Sequence, residues 1–77
     1  MPHGYSQYTI SANKSANKRL IGVALGRACI ARGVPVAEVA SKFGVSRQTI
    51  YNWFGGKHEP KPELLRAVTA YVASLTK

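Results

Sequence analysis

From Leu20 onward, apolar residues recur at three- and four-residue steps: Leu20, Ile21, Ala24, Leu25, Ala28 and Ala31. That is the period of a helix burying one face. Ser15 is a candidate N-cap, and Arg32 followed by Gly33 is a basic last turn with a stop, so the pattern predicts a helix over 16–32. Gly22 and Gly26 inside it weaken helix propensity by about 1 kcal/mol each relative to alanine. They are expected where a neighbouring helix approaches closely. Pro35 opens a second helix over 35–43, with Val36, Val39, Ala40 and Phe43 as its stripe and Gly44 as its end. Ser46 caps a third over 47–54, which turns Ile50, Trp53 and Phe54 inward. After a loop of Gly55, Gly56, Lys57, His58, Glu59 and Pro60, Pro62 and Glu63 open a fourth. Its expected buried stripe is Leu64, Leu65, Val68, Tyr71, Val72 and Leu75. Residues 1–14 are polar, include Pro2 and Gly4, and show no sustained period, which reads as a flexible arm. The expected fold is an all-α, compact four-helix domain over 15–77.

Length and charge narrow what such a domain does. Seventy-seven residues allow one domain and leave little frame for a catalytic cleft. Apolar residues make up 45% of the chain, too many for a disordered basic tail. Eleven Lys and Arg against three acids give a net charge of +8. That surplus points to a polyanionic partner, nucleic acid before an acidic membrane. No run of about 18 apolar residues is present to span a bilayer. The N-terminus lacks the basic and apolar regions of a secretory signal, so the expected location is cytoplasmic. Cys29 is the single cysteine, which excludes an internal disulfide and a cysteine-based zinc site, and His3 and His58 lack the paired spacing of metal ligands. We find no nucleophile–base pair, no carboxylate dyad and no phosphate-cradling loop after a strand. The expectation is a non-enzyme with no cofactor and no small-molecule substrate.

The segment 36–54 fits a helix-turn-helix. Ala40 is small where the two helices touch, and Gly44, four residues later, suits the positive φ of a tight turn. Val45 is placed to plug that turn into the core, while Val39, Phe43, Ile50 and Trp53 supply the inner faces. The outward residues of the second helix of the pair are Arg47, Gln48, Thr49, Tyr51 and Asn52. All can form hydrogen bonds and none is acidic, although a helix N-terminus ordinarily favours acids. Such a surface suits phosphates.

These residues resemble the lambda repressor/Cro (XRE-type) family of helix-turn-helix domains. The likeness is carried by Gly44-Val45-Ser46, Thr49-Ile50, Trp53, Gly56, Pro60 and then Leu64-Leu65, and it extends over about 20–75. It implies a lambda-repressor-like DNA-binding fold and a homodimer, at least on DNA, at a pseudo-palindromic operator. Three departures stand out. An Arg late in the family's first helix often pairs with a Glu just after the Trp, and Cys29 and Phe54 stand at those positions here. An apolar contact in their place is neutral or stabilising when buried. Val36 replaces a Gln that often touches phosphate. The family's fifth, dimer-forming helix, after the helix that Pro62 opens, is expected to be missing or vestigial.

In this arrangement the helix over 47–54 lies in the major groove with its N-terminal residues on base edges. Arg47 suits guanine, Gln48 and Asn52 suit adenine, and Tyr51 can pack on a thymine methyl. Ser46, Thr49, Lys57, His58 and Lys61 are candidate phosphate contacts, with Lys14, Lys18 and Arg19 following the backbone or entering a minor groove. The leading expectation is a phage or bacterial Cro-like repressor of double-stranded DNA. A DNA-binding subunit or accessory factor of a recombinase or transposase is an alternative, since 44–54 also resembles their helix-turn-helix segments. A protein-binding inhibitor that reuses the fold is another.

Overall fold

Among residues 5–77, which the computed structural model describes, five helices form and no strand. They are α1 (Gln7–Ser15), α2 (Ile21–Arg32), α3 (Val36–Phe43), α4 (Arg47–Phe54) and α5 (Pro62–Leu75). Pro2 and Gly4 of the expected arm, and His3, lie outside the described residues. Three helices follow the apolar pattern closely: α3 starts just after Pro35, α4 is capped by Ser46, and α5 begins at Pro62.

The departure lies at the N-terminal end. Where the sequence reads as an arm, Ser6 accepts a hydrogen bond from the Thr9 N–H at 3.1 Å and starts α1. The expected count of four helices is therefore short by one. Ser15, expected to cap the next helix, ends α1 instead, and α2 starts at Ile21 without a side-chain cap. The reason is a reversal of the chain. Arg27 of α2 donates to the carbonyls of Lys14, at 3.0 Å, and Asn13, at 3.5 Å, fastening the end of α1 against the middle of α2. Residues 16–20 must turn to connect the two.

α2 is the central helix and packs against α1, α4 and α5. It buries Gly22, Val23, Leu25, Gly26, Ala28 and Cys29, so its burial wraps around more than one stripe. Ala31, expected inward, is exposed. The two glycines sit at close approaches as expected. A Cβ on Gly22 would lie 2.8 Å from the Cβ of Trp53, and one on Gly26 would lie 2.8 Å from Cγ of Phe54.

The turn between α3 and α4 is set by Gly44 at φ 67°. Its N–H bonds to the Ser41 carbonyl, and the Val45 N–H bonds to that of Ala40 at 3.1 Å, which satisfies the carbonyls at the end of α3. Val45 packs partly buried against the core. Phe43 lies 6.1 Å from the Trp53 ring and meets Tyr71 edge-on at 5.6 Å, joining α3, α4 and α5. Lys42 places its ammonium 5.1 Å from the Tyr71 ring centre. Cys29 and Phe54 are both buried in this one core, and so is Val36, which leaves no phosphate contact at its position. Leu65 departs from its expected burial and is 39% exposed, since α5 packs through Leu64, Val68, Tyr71, Val72 and Leu75. Arg32 donates to the Leu75 carbonyl at 2.9 Å and closes the end of α5.

Three weak acids near this core share one direction of shift. Burial, and to a smaller extent Glu38, pushes the Cys29 thiol up to about 12. Burial also raises Tyr5, with Cys29, Tyr51 and Tyr71 adding, and it raises Tyr71, with Cys29 and Glu38 adding. The unfolded chain ionises these groups at their ordinary values, so above about pH 9 it holds fewer protons than the folded one. Stability is then fully present below the ordinary thiol pKa and falls as pH rises through the folded values. Urea melts at about pH 8 and about pH 11 are expected to show a marked loss at the higher pH, and Cys29→Ala to lose less across that interval. Equal stability at both values would contradict this.

Candidate nucleic-acid interface

α4 is two turns long and divides cleanly by exposure. Ile50, Trp53 and Phe54 are buried, Arg47, Gln48 and Tyr51 are exposed, and Thr49 and Asn52 are half-buried at the margins. Ser46 accepts from the Thr49 N–H at 3.1 Å and its hydroxyl lies 3.0 Å from that of Thr49. The Ser46 hydroxyl thus caps the helix and the Thr49 hydroxyl is paired with it, at a helix end with no acid in its first turn. The open backbone N–H groups there and the Arg47 guanidinium make this end of α4 electropositive.

Further along, the Gln48 Nε2 donates to the Asn52 Oδ1 at 3.1 Å. The two amides therefore form one unit on a single face, as positions four apart on a helix allow. The bond leaves the Gln48 Oε1 as an acceptor and the Asn52 Nδ2 as a donor. An adenine edge in the major groove offers the matching donor and acceptor.

The loop after α4 is tied to the same helix. The N–H groups of Lys57 and His58 donate to the Asn52 carbonyl, at 2.9 and 3.3 Å. This separates the expected phosphate contacts onto two sides of α4. Lys57 lines a groove with Gln48, Tyr51 and Asn52 on one side. His58 and Lys61 line another with Ser46 and Thr49, but Glu59 and Glu63 share that groove and outnumber its one lysine. Lys18 and Arg19 are exposed in the 16–20 connection, whose Ala16 and Leu20 pack beside Gly56. That connection and the Lys57 loop therefore run side by side. Lys14 is not brought to α4; it lines a separate groove with Ile10, Arg27 and Ala31.

Two residues outside the expected contacts position this surface. Asn13 is buried, and its Nδ2 donates to the carbonyl of Phe54 at 2.9 Å and to that of Val23 at 3.1 Å. It thus closes the C-terminal end of α4 and holds α1, α2 and α4 in one register. Tyr5 donates its hydroxyl to the Val34 carbonyl, with its ring 6.2 Å from that of Phe54. The Ser6–Thr9 capping spacing was a signal for α1. Asn13 gave none, because a buried asparagine looks in sequence like any solvated one.

Residues 27–54, from within α2 to the end of α4, match a family model described as a helix-turn-helix domain. The match covers both helices of the motif and its turn, and it supports a helix-turn-helix DNA-binding family. No curated protein and no solved structure gave a match. Among the described residues, no helix is long and apolar enough to cross a membrane.

Proposed function

We propose that this chain is a sequence-specific double-stranded DNA-binding transcriptional regulator, acting as a Cro-like repressor in a bacterial or phage-infected cytoplasm. The observation that carries this reading is the exposed face of α4: acid-free, rich in hydrogen-bonding side chains and flanked by Lys57 in a groove without acids. α4 enters the major groove, where Arg47 reads guanine and the Gln48–Asn52 unit reads adenine, with Tyr51 beside them. Lys57, Lys18 and Arg19 meet phosphates on one side, and His58 and Lys61 on the other. Lys14 stands apart from α4 and carries at most a backbone contact. Ser46 and Thr49 offer phosphate contacts through hydroxyls that already bond each other, Ser46 also capping the helix. Two copies on one pseudo-palindromic operator would exclude polymerase.

Selection of binding sites from random duplexes tests this reading, followed by sedimentation of the selected complex. A recovered inverted repeat bound by two chains is the expected outcome; no duplex binding even at low salt would sink the proposal. Arg47→Ala is expected to weaken the selected site by about 1–3 kcal/mol while leaving random duplex little changed. Equal losses on both would make Arg47 a phosphate contact.

A further inference from the structure

We propose that α1 is a second DNA-contacting element, presenting Tyr8 and Thr9 to the same duplex that α4 reads. The inference rests on the DNA-binding reading above and extends it to a helix outside the matched motif. Three large apolar side chains are exposed among the described residues: Tyr8 at 75%, Tyr51 and Leu65. Tyr8 and Tyr51 line one groove, of about 350 Å³, together with Thr9 from α1 and Gln48, Asn52 and Lys57 from the α4 side. Two exposed aromatics with polar groups between them form an unpartnered surface.

Tyr8 has no part in holding α1 in place. Tyr5 anchors one end of the segment through Val34 and Phe54, and Asn13 anchors the other through the Phe54 and Val23 carbonyls. Since Phe54 belongs to α4, both anchors fix α1 relative to the reading helix. Tyr8 and Thr9 are thereby held at a set position beside Gln48 and Asn52. Thr9 accepts from Ser6 through its hydroxyl oxygen, which leaves its own proton to donate.

The chemistry of the groove selects the occupant. No acid lines it, and Lys57 sets a positive charge at its margin. It is continuous with the face proposed to read bases. A duplex whose major groove receives α4 brings one strand's backbone alongside that helix. The Tyr8 ring then packs on a sugar or a thymine methyl, and the Thr9 hydroxyl donates to a phosphate oxygen.

Charge placed at position 8 tests this with little dependence on packing. Tyr8→Lys is expected to tighten binding to the selected duplex and to steepen its log K against log salt slope by about 1. Tyr8→Glu is expected to weaken binding about tenfold at low salt. Ser74→Lys and Ser74→Glu, in the separate groove between α3 and α5, serve as equal-charge controls and are expected to change little. If Tyr8→Glu fails to melt cooperatively, Tyr8→Lys decides alone. Parent binding with equal shifts at positions 8 and 74 overturns the role of α1 and leaves the DNA reading intact. No binding by the parent chain overturns both.

Discussion

A Gly26→Ala protein is expected to melt about 20 °C below the parent, although helix propensity alone would make it about 1 kcal/mol more stable. The two effects have opposite signs, and magnitude decides between them. A Cβ at this position would lie 2.5 Å from the Asn13 Nδ2, 2.8 Å from Cγ of Phe54 and 3.1 Å from its Cβ. Overpacking of this kind costs about 1–3 kcal/mol. If Asn13 moves away to relieve it, the carbonyls of Val23 and Phe54 lose its amide, at about 1–3 kcal/mol more. A domain of this size has a total margin of only about 4–12 kcal/mol. Thermal melts followed by circular dichroism measure the loss. An unchanged melting temperature would mean that α4 can move off α2 without penalty. The Asn13→Ala/Gly26→Ala double variant is expected to lose less than the sum of the single variants, since the first removes an atom that the second strikes.

Binding to the selected duplex is expected to fall about 10³-fold between 50 and 200 mM salt, as neutralisation of about six phosphates gives a slope near −5. This is the largest effect expected on function, and it follows from where the cations sit. Lys57, Lys18 and Arg19 lie on loops that pack together at Gly56, while Lys61 lies across α4. Lys57→Ala is expected to reduce the slope by about 1 and to weaken every duplex alike. A flat salt dependence would remove the phosphate contacts from the account, and with them the reason for the charge.

Much of this architecture was legible in the chain. α3, α4 and α5 each bury an apolar stripe of helical period between recognisable caps, so Gly44, Ser46 and Pro62 marked their limits. The close approaches at Gly22 and Gly26 were legible too, because glycine inside a helix calls for a packing reason. α1 was not, because it is held by a tyrosine hydroxyl, a buried amide and an arginine reaching its last carbonyls. None of these produces periodicity, and the Ser6–Thr9 capping spacing was the one signal the chain offered. The same gap moved the start of α2, since nothing in 16–20 announces that the chain must reverse there. In the interface, the exposed residues of α4 followed from its buried ones. The division of Lys57 from His58 and Lys61 did not, because it depends on the loop N–H groups converging on the Asn52 carbonyl.

The exposure pattern of α4 bears on how such a protein changes its target. Ile50, Trp53 and Phe54 belong to the scaffold, whereas the side chains of Arg47, Gln48 and Tyr51 contribute nothing to the core. On the proposed reading, preference for a DNA sequence and the capacity to fold are encoded at interleaved positions of one eight-residue helix, with the half-buried Asn52 between the two sets. On that reading, exchange at 47, 48 and 51 is expected to alter preference with little change in the stability of the domain. If α4 reads bases, a lineage built on this scaffold is free to diversify its targets one side chain at a time.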